Sequence, residues 1–142
     1  MFITLTSDIM VAPQISVDAV AEAAAQGVTL VINNRPEGEA EDQTPGGTIE
    51  AAARAAGLDY VAIPITHSGF SQPQISAMVA ALKGAQGKVL AYCRSGTRST
   101  NLWALAEAAQ GGDPDSLTNI AAKAGYDIAG IRPLLDMLKA QA

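Results

Sequence analysis

The only cysteine of the chain, Cys93, lies between an apolar run and a segment rich in glycine, arginine and hydroxyl residues, CRSGTRST (93–100). A thiolate is a strong nucleophile, and it is favoured over the neutral thiol by loop amides, a helix N-terminus and nearby arginines. The same groups bind oxyanions, because amides and a guanidinium fork match the oxygens of phosphate or sulfate. The segment therefore predicts an anion-binding loop that carries a reactive thiol.

Residue types within this loop suggest separate roles. Cys93 is the candidate nucleophile, Arg98 the candidate oxyanion-binding guanidinium, and Ser99 a donor that helps the thiolate leave. Gly96 permits the positive φ that a tight cradle requires. Further loop residues that could contact substrate through amides, charge or hydroxyls are Arg94, Ser95 and Thr97. The alternative is a buried structural cysteine, the commonest role of a lone one, but the order strand, Cys, x, x, Gly, x, Arg, Ser, helix is rarer and favours the anion-binding loop.

Two residues outside the loop are also candidates. His67, the only histidine, could protonate a leaving oxygen and then activate water, because imidazole changes charge near neutral pH; a solvated loop histidine is the alternative. Arg35 follows a predicted buried strand and could add a second guanidinium at the mouth of the cleft, unless it is a solvated loop arginine. The carboxylates of the next loop are expected to be solvated, so we predict no metal and no cofactor; they are Glu37, Glu39, Glu41 and Asp42.

Alternating strands and helices are predicted to position these residues. Strands are predicted at 28–34, 59–65 and 88–93, with a strand or hairpin within 2–12. The predicted helices run from a Ser16 cap to Gly27, from a Thr48 cap to Ala56, over 71–87, over 98–110, from an Asp113 cap, and over 128–140. This alternation predicts one three-layer α/β domain, residues 1–142, with a mainly parallel sheet of four or five strands and helices on both faces. The thiol loop, Asn33, Asn34 and His67 then meet at the carboxyl edge of the sheet.

Composition restricts the partners. The net charge is −5 and the pI is about 4.6, which argues against nucleic acid or an anionic membrane as the main partner. No apolar run approaches the roughly 18 residues of a membrane span, and a single cysteine forms no internal disulfide. We expect a reducing, cytoplasmic setting.

The thiol loop resembles those of two superfamilies. Tyrosine and dual-specificity phosphatases have the glycine three residues and the arginine six residues after the cysteine, whereas rhodanese sulfurtransferases have a loop one residue shorter. In this chain Arg98 stands five residues after Cys93, as in rhodaneses, but no rhodanese-like GHIPGA stretch lies upstream. VINNRPEGE and, further on, DYVAIPITHS resemble the dual-specificity phosphatase layout, with His67 in place of its general-acid aspartate.

Over residues 1–110 the chain resembles a bacterial phosphatase-like family, found alone or fused to a β-lactamase-like hydrolase domain and sometimes named a sulfur transferase. The motifs LTSDIMVAPQIS, VINNRPEGE, IPITHSG and CRSGTRS occur in order. The resemblance implies a dual-specificity-phosphatase-like fold and hydrolysis of phosphomonoesters, on a small molecule or a phosphoprotein, through a cysteinyl-phosphate. Two alternatives stay open: a rhodanese-like sulfurtransferase, which moves sulfane sulfur from a donor through a Cys93 persulfide, and a non-catalytic oxyanion-binding module.

Overall fold

The computed structural model describes all 142 residues and contains one five-stranded sheet. The strands are β1 (Ile3–Thr4), β2 (Ile9–Ala12), β3 (Val28–Asn33), β4 (Asp59–Ala62) and β5 (Lys88–Tyr92). Their order in the sheet is β1-β2-β5-β3-β4, and only the edge strand β1 runs antiparallel to its neighbour. The predicted mainly parallel sheet is confirmed, with β5 as its central strand.

Six α-helices cover the two faces of the sheet. They are α1 (Val17–Ala25), α2 (Gly46–Ala55), α3 (Gln72–Gly84), α4 (Thr97–Ala109), α5 (Pro114–Lys123) and α6 (Arg132–Gln141). Residues of α1 and α2 pack in the apolar cluster on one face, and residues of the other four helices pack in the cluster on the opposite face. None of these helices combines the length and the apolar character that crossing a bilayer demands.

The central strand β5 is apolar because both of its faces are covered. Val89 and Ala91 point into the cluster shared with α3 to α6, whereas Leu90 and Tyr92 point into the cluster shared with α1 and α2. Both sides of β5 are also hydrogen-bonded, to β2 and to β3. The strand therefore gives a fixed base to Cys93, the residue that follows it.

Most predicted helix starts are confirmed. Ser16 and Asp113 cap α1 and α5, as predicted, and the side chain of Ser71, the first residue of the segment predicted as the third helix, caps α3. The predicted start of α2 at Thr48 is wrong, because this helix begins at Gly46. The amide of Gly46 donates to Glu37 Oε1 at 2.9 Å, so the acceptor comes from nine residues upstream and no local pattern indicates it.

Other predicted boundaries also differ from the structure, and the third helix, predicted over 71–87, ends at Gly84. The strand predicted over 59–65 ends at Ala62, although Ile63 and Ile65 still donate backbone hydrogen bonds to Asn33 and Asn34. The last predicted helix is divided into a 3₁₀ turn, Ala129–Ile131, and α6.

Replacing the buried Leu90 tests the importance of β5 to the fold. Leu90→Ala leaves a cavity in a 0% exposed position, and we expect it to lower the free energy of unfolding by about 3 kcal/mol. Urea denaturation followed by circular dichroism measures this change. The control, Met137→Ala at a 48% exposed position on α6, is expected to stay within about 0.5 kcal/mol of the parent. Equal losses in the two variants would contradict this account of the core.

Candidate active site

Cys93 lies at the carboxyl end of β5. Here the backbone is hydrogen-bonded on both sides, to residues at the end of β2 and to the residue that follows β3. The amide of Cys93 donates to the Ala12 carbonyl at 3.3 Å, and the Gln14 amide donates to the Arg94 carbonyl at the same distance. On the other side, the Asn34 amide donates to the Tyr92 carbonyl at 2.8 Å. The thiol is therefore held by its backbone, and the residue is 0% exposed.

The loop after Cys93 directs one amide at the thiol. Gly96 is the N-cap of α4, with φ at +90°, a conformation that glycine adopts without strain. Its N–H donates to Cys93 Sγ at 3.1 Å. The amides at a helix N-terminus carry the positive end of the helix dipole. This contact thus stabilises negative charge on the sulfur.

Arg98, in the first turn of α4, is anchored by three of its five N–H groups. Nη1 donates to Glu39 Oε2 at 2.6 Å and to the Ile65 carbonyl at 2.8 Å, and Nη2 donates to Glu39 Oε1 at 2.8 Å. The two remaining donors, one on Nε and one on Nη2, lie side by side on one edge of the guanidinium. That edge is a two-donor fork that can bind two oxygens of a tetrahedral anion.

A second guanidinium, that of Arg35, holds Glu39 from the other side. Arg35 Nε donates to Glu39 Oε1 at 3.0 Å and Nη1 donates to Gln14 Oε1 at 3.1 Å. Arg35 is only 5% exposed, so the alternative of a solvated loop arginine is wrong. The expectation that Glu39 is solvated is also wrong, because this carboxylate bridges both arginines.

Glu39 and Arg98 shift each other's protonation equilibria. The hydrogen bonds from Arg98 lower the pKa of Glu39 to about 2, with further lowering by Arg35 against the opposing effect of burial. Hydrogen bonding to Glu39 raises the pKa of Arg98, and the nearby Cys93 thiolate raises it further. Glu39 and Arg98 are therefore both charged at neutral pH.

Ser99 is oriented by Asn34 and not by the thiol. Its Oγ donates to Asn34 Oδ1 at 2.8 Å, and Asn34 Nδ2 donates to the Ile63 carbonyl at 2.9 Å. Both side chains are fully buried. Because a hydroxyl has one proton, Ser99 cannot donate to Cys93 in this arrangement, so the predicted role in thiolate departure needs its hydroxyl to rotate.

The remaining predicted residues lie at the surface. Arg94, Ser95 and Thr97 are exposed, and Ser95 Oγ donates to Thr97 Oγ1 at 2.9 Å. His67 lies in the exposed turn Thr66–Gly69 between β4 and α3, and its imidazole makes no hydrogen bond within the protein. The structure thus pairs Gly96 with the Cys93 thiol and joins Arg98 to Arg35 through Glu39, and His67 belongs to neither set of hydrogen bonds.

Two residues of the site escape the sequence prediction. Glu39 carries a weak signal, since it stands four residues after Arg35, but its pairing with Arg98 spans 59 positions. Tyr126, whose hydroxyl donates to the Ser95 carbonyl at 3.0 Å, has no signal, because nothing in the sequence around it suggests chemistry.

A cavity of the molecule lies away from Cys93. Its volume is about 670 Å³, and it opens at the amino ends of the strands, where Ile9, Lys88 and Val89 line it with Trp103 and Glu107 of α4. Ligands of open parallel sheets bind at the carboxyl ends of the strands. We therefore assign the candidate active site from the chemistry at Cys93 and not from cavity size.

The pH dependence of stability tests the Glu39 network. Because its pKa of about 2 lies below the usual value of 4.5, the stabilisation is complete above about pH 5 and is lost as the pH falls towards 2, by about 2 kcal/mol. In Glu39→Gln this part of the pH dependence should disappear, measured by urea denaturation across that range. Glu50→Gln, which removes an exposed pair with Arg54, is the control; a full parental slope in Glu39→Gln would disprove the network's role.

Comparison with known proteins identifies the family of the chain. The sequence model of the family described as "Beta-lactamase hydrolase-like protein, phosphatase-like domain" matches residues 1–110. A β-lactamase hydrolase-like protein of Xylella fastidiosa is 33% identical over 109 residues, which are 77% of this chain and 25% of that protein. One from Agrobacterium fabrum is 43% identical over 88 residues, 61% of this chain and 20% of that protein. The chain thus spans a quarter or less of the length of these curated relatives.

Solved structures share the fold. A candidate phosphatase of Neisseria meningitidis superposes with a TM-score of 0.83 at 28% identity, covering 96% of both chains. TpbA of P. aeruginosa, solved with pTyr, gives a TM-score of 0.68 at 15% identity, covering 99% of this chain and 88% of that one. PTPMT1, solved with PI(5)P, gives 0.75 at 12% identity, with 99% and 97% covered. The predicted fold, that of the dual-specificity and tyrosine phosphatases, is confirmed, and the chain belongs to the phosphatase-like domain family of the β-lactamase hydrolase-like proteins.

Proposed function

We propose that this domain hydrolyses phosphomonoesters through a cysteinyl-phosphate intermediate. The observation that carries the proposal is the contact of the buried Cys93 Sγ with the Gly96 amide at the start of α4. Two residues further on, Arg98 leaves one two-donor edge of its guanidinium free. The family and the phosphatase fold of its structural neighbours support the class of reaction.

Substrate binding rests on charge and on hydrogen-bond donors. The free Nε and Nη2 donors of Arg98 bind two oxygens of the phosphoryl group, and the amides of residues 94–98 bind the third. Arg35 supplies a second positive charge, because Glu39 cancels only one of the two guanidinium charges. The exposed residues Arg94, Ser95 and Thr97 face the part of the substrate outside the phosphate.

The chemical steps use a thiolate and one proton donor. Cys93 Sγ attacks phosphorus, the bond from phosphorus to the ester oxygen breaks, and that oxygen takes a proton from the His67 imidazolium. His67 then takes a proton from a water molecule, whose oxygen attacks phosphorus, and the thiolate of Cys93 leaves. The Ser99 hydroxyl, rotated away from Asn34, stabilises this thiolate as inorganic phosphate is released.

Access to the thiol requires movement, because Cys93 is 0% exposed. A phosphate group reaches Sγ only when the atoms that cover Sγ shift. The substrate class is a phosphorylated small molecule or phosphoprotein. Two of the structural neighbours were solved with ligands of these kinds, pTyr and PI(5)P.

The loop length favours a second candidate, sulfurtransfer. Arg98 follows Cys93 by five residues, which is the spacing of rhodanese loops, and thiosulfate is also a tetrahedral oxyanion. In this reaction the Cys93 thiolate attacks the outer sulfur of thiosulfate, sulfite leaves, and the persulfide passes its sulfur to a nucleophilic acceptor.

Parallel assays of p-nitrophenyl phosphate hydrolysis and of thiosulfate–cyanide transfer distinguish the candidates. We expect hydrolysis only, abolished in Cys93→Ser and lowered by about 10²-fold in Arg98→Lys, because an ammonium group lacks the fork. Arg132→Lys, at an exposed arginine of α6 paired with Asp115 and Asp136, is the matched control and should retain activity. Sulfur transfer without ester hydrolysis would contradict the phosphatase and support the sulfurtransferase. Turnover of neither substrate would support the non-catalytic oxyanion-binding module.

The dependence on the leaving group tests His67. A proton donor matters most when the leaving oxygen is basic, so His67→Ala should lose about 10²-fold in kcat on phenyl phosphate. On p-nitrophenyl phosphate, whose phenolate leaves without protonation, the loss should be much smaller. Ser68→Ala, in the same exposed turn, is the control. Equal losses of His67→Ala on both esters would remove His67 from the mechanism.

A further inference from the structure

The peptide unit between Ser95 and Gly96 is hydrogen-bonded at both of its ends. Its N–H, on Gly96, donates to Cys93 Sγ at 3.1 Å, and its C=O, on Ser95, accepts from Tyr126 Oη at 3.0 Å. A trans peptide is planar, with its N–H and C=O directed oppositely. The Tyr126 hydroxyl, which donates to the Ser95 carbonyl, therefore also keeps the Gly96 N–H directed at Cys93 Sγ.

Tyr126 is positioned by its own backbone. It follows Gly125, which has φ at +96° and ends α5. The Gly125 amide donates to the Ala122 carbonyl at 3.0 Å, and the Tyr126 amide donates to the Ala121 carbonyl at 2.9 Å. This pair of bonds is a Schellman motif. The motif and the packing of the ring on the apolar core fix the place of the phenol.

The absence of a side chain at Gly96 leaves room for the Tyr126 hydroxyl. A Cβ at this position would overlap the Tyr126 hydroxyl, and φ at +90° disfavours any other residue. Burial raises the pKa of Tyr126, and the nearby Cys93 thiolate raises it further, so the phenol keeps its proton for the hydrogen bond.

We propose that Tyr126 is a positioning residue, which holds the Ser95–Gly96 peptide in the orientation that presents the Gly96 amide to the thiolate and to a bound oxyanion. The role rests on the proposed function for its catalytic consequence. It goes beyond the family match, which ends at residue 110. The alternative orientation of the peptide turns the Ser95 carbonyl towards the sulfur, so that the negative end of the carbonyl dipole faces the negative charge of the Cys93 thiolate.

Tyr126 also connects the active-site loop to the connection between α5 and α6. When this segment is in place, the Gly96 amide is directed at the anion; when the phenol is displaced, the peptide is free to turn. Because the Gly96 amide and Arg98 bind the same anion in the proposed mechanism, loss of either should weaken both binding and turnover.

Tyr126→Phe is the decisive variant, because it keeps the ring and removes only the hydroxyl. We expect about tenfold weaker binding of inorganic phosphate by calorimetry, which corresponds to about 1.4 kcal/mol, and a similar fall in kcat. The Gly96 amide proton should move upfield in the ¹H–¹⁵N spectrum of the free protein, as a lost hydrogen bond requires. Thr118→Val is the matched control, since it removes an α5 hydroxyl that donates to the Pro114 carbonyl.

The three readouts separate this inference from the proposed function. A parental Gly96 resonance together with parental phosphate affinity in Tyr126→Phe would overturn the role of Tyr126, whatever happens to turnover. Equal effects of Thr118→Val on these quantities would overturn it too, since they would reflect general loosening of the α5 segment. If the parent hydrolyses no ester, the proposed function fails, while the Gly96 shift, measured without ligand, still decides whether Tyr126 orients the peptide.

Discussion

One carboxylate, that of Glu39, lies between two guanidinium groups, and the arrangement of the site depends on it. Arg35 is 5% exposed, and a buried arginine without an ionic partner would be strongly destabilising. Glu39 compensates its charge and at the same time occupies the Nη1–Nη2 edge of Arg98. Because that edge is occupied, only the Nε–Nη2 edge of Arg98 remains for an anion. The ion pairs thus connect the segment after β3 to α4 and determine which side of Arg98 is available.

A second, uncharged set of contacts holds the loops together below this network. Asn34, fully buried, binds the Tyr92 carbonyl through its backbone and the Ile63 carbonyl and Ser99 hydroxyl through its side chain. Asn34 therefore joins four parts of the site, namely the ends of β3, β4 and β5 and the first turn of α4. Any hydrophobic replacement of Asn34 would leave buried polar groups without partners, which costs more than the hydrogen bonds themselves contribute.

Local sequence patterns predict the parts of this molecule that local physics determines. The apolar segments predict the strands, Ser16 and Asp113 predict helix starts, and CRSGTRS predicts the loop, because each signal lies within a few residues of the structure it specifies. The contacts of Glu39 with Arg98, Glu37 with Gly46, and Tyr126 with Ser95 are different, since they join residues 59, 9 and 31 positions apart. Such pairings depend on the order of strands in the sheet and on where α5 ends. From the sequence, a carboxylate in a polar loop is therefore expected to be solvated, whereas in the structure Glu39 forms ion pairs with two arginines.

The groups around Cys93, which we propose to bind a tetrahedral oxyanion, do not choose between phosphorus and sulfur. In the two candidate reactions, thiosulfate and a phosphomonoester would both present negatively charged oxygens to the amides and to Arg98, and the thiolate would attack either one. The two reactions differ in their need for a proton. Sulfite leaves thiosulfate as a stable anion, whereas an alkoxide leaving phosphorus must be protonated. The choice of chemistry therefore depends less on the loop than on whether a proton donor reaches the leaving group, and in the proposed phosphatase mechanism His67, in its exposed turn, is that donor.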